Sequence, residues 1–272
     1  MNKGNKELEP IILLGAQRSG TTALAYSLNN LFAQKNGQFT INDKIIYYLQ
    51  RWLTDKDIEN RHFRADEVVY SLKRVVPKGI PNENLWMEQI SVILNKTSSL
   101  IADGTDICAI DFIRNIMSEI YGNYAVWGYK YNEDILNISY ISTLFPKARF
   151  IILVRNPLDV ANSILNWKKE KVWRPSSISE NLRKWECWHQ ELISLINHWD
   201  KSKFIVLDYD KLCEGEYKKD LSSFLNMEIG NEFDNLKTKR DTVNFRDEDK
   251  IPTSTMKIWE KLNLLAFTSK NL

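Results

Sequence analysis

The chain has 272 residues, of which 43% are hydrophobic and 26% are charged, a composition that is ordinary for a soluble globular protein. Lys and Arg together number 37 and Asp and Glu 35, so the net charge is only +2. This balance argues against a nucleic-acid-binding protein whose affinity comes from an extended basic surface. The three cysteines form no CxxC pair or Cys/His cluster, which predicts no metal site and a reducing compartment. No apolar run reaches membrane-spanning length, so we expect a cytoplasmic protein without membrane contact.

Predicted strands alternate with predicted helices along the chain. Short apolar runs mark strands at residues 10–14, 125–129, 149–154 and 204–207. Helical spacing of apolar residues marks the segments 20–32, 135–145, 157–167, 179–199 and 217–224. This alternation predicts one α/β domain over residues 1–272, of the P-loop type, with a central and mostly parallel sheet flanked by helices. Residues 36–124 are predicted to form a helical variable insertion, with its best helices at residues 82–96 and 105–121.

A glycine-rich loop, residues 15–22 with the sequence GAQRSGTT, lies between the first predicted strand and the first predicted helix. Consecutive backbone N–H groups and a helix N-terminus form an anion site in that setting, and Gly20 permits close approach of the backbone. Further donors to a phosphate are the hydroxyls of Ser19, Thr21 and Thr22. The spacing matches a nucleoside-triphosphate loop except that Thr21 replaces its lysine, and the cation is instead Arg18. A simple turn that caps the helix is the less favoured interpretation.

A second candidate anion site follows the strongest predicted strand. Arg155 stands at its carboxyl end, where open α/β sheets place their ligands, and Ser163 lies eight residues further, two turns into the next helix. An arginine offers two parallel donors to a phosphate, and a serine hydroxyl can add a third. The alternative is a structural arginine paired with Asp159.

These two motifs resemble the sulfotransferases that use 3'-phosphoadenosine 5'-phosphosulfate (PAPS), and in particular the bacterial, carbohydrate and tyrosylprotein branches of that family. The resemblance implies that residues 15–22 hold the 5'-phosphate of the donor and that Arg18 stabilises the leaving oxygen. It also implies that Arg155 and Ser163 hold the 3'-phosphate. Ala23 stands where cytosolic members often carry an adenine-stacking tryptophan, so adenine must be held in another way.

The resemblance also implies candidate catalytic residues. Lys130, at the end of a predicted strand, is similar to the family's lysine that contacts the sulfonate, although Tyr131 and Asn132 replace the residues that usually follow it. Asp43 is the nearest acid to the place of the glutamate base in the tyrosylprotein and carbohydrate branches, and a helix cap is its alternative role. The other candidate bases are Glu133, Asp134 and His62.

The sequence thus predicts an enzyme that transfers a sulfonate group from PAPS to a hydroxyl acceptor such as an alcohol, phenol or sugar, without a metal. The acceptor's identity and the oligomeric state stay open, and residues 36–124 are expected to form the acceptor side. Two alternatives are a P-loop kinase or NTPase, in which residues 204–208 would hold Mg²⁺, and a nucleotide-binding module without catalysis.

Seven of the nine tryptophans fall into two predicted groups. Four with helical spacing are expected in the core, namely Trp167, Trp185, Trp188 and Trp199. Three others, Trp52, Trp86 and Trp127, are candidates for an aromatic acceptor pocket.

Overall fold

The structure is a computed structural model, and it describes residues 8–105, 107–167, 175–237 and 251–268. Its centre is a five-stranded sheet in the order β2-β3-β1-β4-β5, with strands at Ile11–Leu14 (β1), Gln38–Ile41 (β2), Trp127–Lys130 (β3), Arg149–Val154 (β4) and Phe204–Asp208 (β5). The pairs β2–β3 and β4–β5 run parallel. The first and fourth strands carry apolar side chains almost without interruption and are buried, as expected when helices cover both faces of a parallel sheet. The predicted α/β fold is confirmed.

Helices connect and flank the strands. They span Thr21–Ala33 (α1), Ile45–Trp52 (α2), Asp55–Glu59 (α3), Ala65–Lys73 (α4), Glu83–Ala102 (α5), Ala109–Tyr121 (α6), Ile138–Leu144 (α7), Pro157–Leu165 (α8), Ile178–Ile196 (α9), Tyr209–Cys213 (α10), Lys218–Leu225 (α11) and Thr253–Thr268 (α12). A 3₁₀ turn at Asn132–Leu136 precedes α7. In the part of the chain that the structure describes, none of these helices is both long and apolar enough to cross a membrane.

Two compact units share the chain. The first contains Leu28–Tyr131, Tyr140–Ala148 and the N-terminal residues up to Ile11, and α2, α4, α5 and α6 pack on one another in it. The prediction that residues 36–124 are helical is wrong at the beginning of that region, where β2 forms. Two of the four β2 residues, Gln38 and Thr40, are polar but buried, so the strand lacks an apolar run.

The second unit contains Ile12–Ser27, Asn132–Ser139 and the chain from Arg149 onward. Local sequence signals mark where two of its helices begin. Pro157 occupies the first turn of α8 and the Asn156 side chain accepts a hydrogen bond from Leu158 N. Ser177 and Glu180 form a capping box at the start of α9. This unit contains both predicted anion motifs.

Candidate active site

The phosphate loop, residues 15–22, connects β1 to α1, and two glycines determine its path. A Cβ on Gly15 would lie 2.6 Å from the Leu153 carbonyl oxygen. A Cβ on Gly20, which has φ +97°, would overlap the ring of Tyr209. Side chains therefore fit at neither position, and the loop backbone packs directly against β4 and against the residue that follows β5.

Arg18 connects the loop to the second motif. Its backbone is left-handed, with φ 71°, an uncommon conformation for a residue other than glycine and one that concentrates at functional sites. The side chain is exposed, and its Nε donates a hydrogen bond to Ser163 Oγ at 2.9 Å. The guanidinium carbon lies 5.3 Å from the ring centroid of Trp167, a cation–π distance. The predicted loop cation and the predicted 3'-phosphate serine are thus in direct contact.

Loop hydroxyls are partly used inside the loop. Ser19 is completely buried, and its hydroxyl donates to the Ala16 carbonyl at 2.6 Å. Thr21 is also buried, whereas the Thr22 side chain is exposed at the first turn of α1. The structure therefore gives Ser19 a role in holding the loop conformation, and the predicted contacts of the three hydroxyls with a phosphate stay predictions.

Asn132, two residues after the end of β3, ties the two ends of the loop together. Its Nδ2 donates to the Gly15 carbonyl at 2.7 Å and to Thr21 Oγ1 at 3.0 Å. Because Asn132 is buried, both hydrogen bonds are shielded from water and hold the loop firmly. The sequence pattern did not indicate this residue, although its position just after a strand end was a usable signal.

Three further side chains, those of Lys184, Gln17 and Glu133, form a hydrogen-bonded chain that includes the phosphate loop. Gln17 Nε2 donates to Glu133 Oε1 at 2.9 Å, and Lys184 Nζ donates to Gln17 Oε1 at 3.2 Å. The amide must point its NH₂ at the carboxylate and its oxygen at the ammonium, so the two charged partners determine its orientation. All three side chains are half-buried. Nothing in the sequence pattern pointed to Lys184, which lies on α9.

Arg155 is only 6% exposed. The parallel register pairs Val154 with Asp208, so the residue after β4 lies beside the residues after β5. Arg155 Nε is 3.8 Å from Asp210 Oδ1, and its guanidinium carbon is 5.6 Å from the Tyr209 ring centroid. The structure places an ion-pair partner for this arginine on α10, at Asp210.

Tyr209 contacts both anion motifs, and the sequence pattern missed it. Its ring lies against Gly20 and is also within cation–π distance of Arg155. Burial raises the pKa of Tyr209 to about 12, so the phenol keeps its proton, and its hydroxyl donates to the Lys237 carbonyl at 3.1 Å.

In the first unit, Lys130 and Asp43 lie close together at the carboxyl ends of β3 and β2. Lys130 is buried, and it pairs with Ile41 in the β2–β3 register. Asp43 N donates to the Lys130 carbonyl at 3.1 Å. The two residues indicated by the family resemblance are therefore neighbours in the backbone, and their catalytic roles stay predictions.

The Asp43 carboxylate is enclosed by hydrogen bonds. Its Oδ2 accepts from Thr40 Oγ1 at 2.7 Å and from Tyr121 OH at 2.8 Å, and its Oδ1 accepts from Ile45 N at 3.0 Å. We call Asp43, Thr40 and Tyr121 the Asp43 cluster. Burial raises the pKa of Asp43 and these hydrogen bonds oppose the rise, while the pKa of Tyr121 lies well above its usual value because of burial and the adjacent carboxylate. Asp43 is 3% exposed and shapes the entry to α2, and its catalytic role stays a prediction.

The remaining candidate bases differ in exposure. Asp134 is buried in the 3₁₀ turn, and His62 is exposed in the connection between α3 and α4. Glu133 is half-buried and joined to the phosphate loop through Gln17.

The tryptophan predictions are confirmed in part. Trp185 and Trp188 are buried, but Trp167 is half-exposed beneath Arg18. Trp86 and Trp127 are buried core residues, so the prediction that they line an open acceptor pocket is wrong. Trp52 and Trp199 are half-buried. The guanidinium carbons of Arg51 and Arg64 lie 5.3 and 5.4 Å from the centroid of the Trp52 ring.

Solved structures share this fold at low sequence identity. The sulfotransferase domain of the Synechococcus PCC 7002 olefin synthase has a TM-score of 0.62 and 13% identity, with 95% of this chain and 96% of that chain covered. The sulfotransferase domain from the curacin biosynthetic pathway has a TM-score of 0.55 and 10% identity, with coverage of 94% and 98%. Sulfotransferase STF9 from Mycobacterium avium has a TM-score of 0.53 and 14% identity, with coverage of 94% and 76%.

Sequence comparison gives the family. No curated protein matches the chain significantly. A family profile described as the sulfotransferase family matches residues 10–217, which include both anion motifs and most of the described fold. The chain therefore belongs to the sulfotransferase family, whose members transfer a sulfonate group, and the solved structures share its fold.

Proposed function

We propose that this protein transfers a sulfonate group from PAPS to the hydroxyl of a small-molecule or carbohydrate acceptor and releases adenosine 3',5'-bisphosphate (PAP). The observation that carries the proposal is the hydrogen bond between Arg18 Nε and Ser163 Oγ. It joins a residue of the 5'-phosphate motif to a residue of the 3'-phosphate motif.

The geometry of the donor explains why this contact matters. The two phosphates of PAPS are attached to one ribose, so their binding groups must lie within the reach of one sugar. Arg18 and Ser163 meet this requirement because they are hydrogen-bonded to each other. The Tyr209 ring contacts both Gly20 and Arg155, so Arg155 also lies near the phosphate loop. Two arginines can provide bidentate donors to two separate phosphates, and the 3'-phosphate is the group that distinguishes PAPS from ATP.

The proposed reaction is an in-line displacement at sulfur. The acceptor oxygen forms a bond to sulfur while the bond from sulfur to the bridging oxygen of the 5'-phosphate breaks, and the electron pair stays on that oxygen. Arg18 is proposed to stabilise the charge that develops there, and Lys130 the charge on the transferring sulfonate. Both assignments extend the family resemblance to these positions.

Binding of PAP tests the donor assignment. In the absence of Mg²⁺, PAP at a hundredfold excess over its Kd is expected to stabilise the protein by about 2.7 kcal/mol, which raises Tm by about 5 to 10 °C. We expect Arg155→Ala to lower PAP affinity by about tenfold or more, because it removes a charged bidentate donor from a buried site. The control is Arg183→Ala, at an exposed arginine on α9, which leaves PAP affinity unchanged.

Two results would contradict the proposal. A Tm shift with ATP–Mg²⁺ and none with PAP would favour the kinase or NTPase alternative. Unchanged PAP affinity in Arg155→Ala would remove this residue from the donor site. With PAP binding established, a screen of alcohols, phenols and sugars with labelled PAPS identifies the acceptor class.

A further inference from the structure

We infer that Glu133 is the general base that removes the acceptor's hydroxyl proton. This assignment rests on the proposed function and adds to it the residue that activates the acceptor. The juxtaposition that carries it is the hydrogen bond from Gln17 Nε2, in the phosphate loop, to Glu133 Oε1 at 2.9 Å.

A general base has to meet the substrate, so its carboxylate needs both a defined position and an open side. Among the candidate acids, Asp43 is enclosed by its three hydrogen-bond donors and Asp134 is 4% exposed. Glu133 is half-exposed. A carboxylate has about four lone-pair sites, and the hydrogen bond from Gln17 occupies one of them.

The position of Glu133 is determined on two sides. Asn132, the residue before it, is hydrogen-bonded to both ends of the phosphate loop, so the backbone at residue 133 is held against the loop. Gln17 holds the side chain, and Lys184 fixes the orientation of the Gln17 amide. Gln17 immediately precedes Arg18, the residue assigned to the leaving oxygen.

This arrangement fits the charge flow of the proposed reaction. The acceptor proton moves to a Glu133 carboxylate oxygen as the acceptor oxygen bonds to sulfur. The bond between sulfur and the bridging oxygen breaks, and the negative charge appears on PAP beside Arg18. In this in-line displacement the base acts at the entering oxygen and Arg18 at the leaving oxygen, so the two residues have separate tasks.

Replacing Glu133 with Gln separates a base from a structural residue. The glutamine keeps an oxygen that can accept from Gln17 Nε2, so the loop contact persists while the ability to take a proton is lost. We expect Glu133→Gln to lower kcat by about 10²- to 10⁴-fold, with the PAP-induced Tm shift unchanged. Its kcat/KM is also expected to lose the fall on the acid side of the wild-type pH profile. Glu119→Gln, at an exposed glutamate of α6 paired with Lys96, is the matched control and retains wild-type activity.

The assay follows PAP release from PAPS, once with the acceptor found in the screen and once with water as the only acceptor. If wild-type protein releases no PAP under either condition, the proposed function fails and the assignment of Glu133 with it. If wild-type protein is active and Glu133→Gln retains activity within about threefold, the proposed function stands and Glu133 is not the base. Loss of PAP binding in Glu133→Gln would assign the residue to the loop structure instead. A folded Asp43→Asn variant that loses activity beside an active Glu133→Gln would move the base to Asp43.

Discussion

The phosphate loop and the Asp43 cluster both hold polar side chains in fixed positions, but they differ in what remains accessible. In the loop, buried Ser19 and Asn132 hold the backbone, while Arg18 is exposed and Gln17 is half-exposed. In the Asp43 cluster, all three side chains are buried, and the donors and acceptors face one another. The loop thus combines a rigid frame with open functional groups, whereas the polar groups of the Asp43 cluster are buried and hydrogen-bonded to one another.

This difference in exposure distinguishes Asp43 from Glu133, which the sequence presented as candidates for the same role. A buried and fully hydrogen-bonded carboxylate stabilises a unique local structure, because any loss of a partner leaves an unsatisfied polar group away from water. A half-exposed carboxylate with one fixed partner keeps its position and still meets a substrate. Substitutions in and around the two regions test this distinction through the free energy of unfolding and the affinity for PAP.

The largest expected effect is at the contact between the phosphate loop and Tyr209. Gly20→Ala places a methyl group against the Tyr209 ring at a position with φ +97°, so we expect a loss of about 2 to 4 kcal/mol in the free energy of unfolding and a large loss of PAP affinity. The matched control is Gly215→Ala, which has φ +85° and nothing within 4 Å of the added Cβ, and should cost only about 1 kcal/mol. Urea denaturation of each variant, with and without PAP, measures the free energy of unfolding and its increase on PAP binding. Equal costs for the two variants would show that the loop tolerates displacement of Tyr209.

The next effect is a pH dependence of stability that comes from His189 on α9. Burial lowers the pKa of His189 to about 4, and its Nδ1 lies 2.7 Å from the Trp185 carbonyl oxygen. The unfolded chain therefore binds more protons between the folded pKa and the usual value of about 6.5, so stability is lost as the pH falls through that window. We expect a loss of about 2 kcal/mol at pH 5 relative to pH 7, measured by urea denaturation. The raised pKa of Asp43 acts with the opposite sign, because it favours the folded state at low pH.

His189→Phe should remove this pH-dependent loss, whatever its effect on absolute stability. His198→Asn, at the exposed histidine after α9, should leave the loss in place. A loss of the same size in His189→Phe would assign the pH dependence to other groups.

The smallest expected effect is within the Asp43 cluster. Tyr121→Phe removes the hydroxyl that donates to Asp43 Oδ2 and leaves a buried acceptor with one partner fewer, which should lower the free energy of unfolding by about 1 to 2 kcal/mol. Tyr70→Phe, at a tyrosine that is 60% exposed, should change it by less than about 0.5 kcal/mol. We expect PAP affinity to be unchanged in both. A loss of PAP affinity in Tyr121→Phe would connect the cluster to donor binding and weaken the distinction drawn above.

Much of the donor side was predictable from the sequence because it depends on local order. A buried strand, a glycine loop and a helix in succession placed Arg18, and a strong strand followed by an arginine placed Arg155. Ser163 was predicted as well, but its contact with Arg18 was not. Tyr209 and Lys184 were not predictable, since they reach Gly20, Arg155 and Gln17 only through the fold. Sequence spacing carries no information about which helix faces lie together.

The acceptor side was less predictable because residue type does not determine burial. The β2 strand was missed because Gln38 donates to the Gly79 carbonyl and Thr40 to Asp43, so polar side chains occupy buried positions without an apolar rhythm. For the same reason Trp127, which stacks on Tyr121 with ring centroids 4.6 Å apart, was predicted as a candidate for the acceptor pocket and not as a core residue. Helix α12, beyond the polar stretch after residue 230, was not assigned at all.

The hydrogen bonds that shape the phosphate loop come from distant parts of the chain. Asn132 is 117 residues from Gly15, Ser163 is 145 residues from Arg18, and Lys184 is 167 residues from Gln17. Contacts of such separation form late in folding, because the entropy of closing long loops must be overcome first. During synthesis the loop would acquire its donor-binding conformation only after α10 has emerged from the ribosome. A fragment that ends before β4 would then contain the complete loop sequence without the site.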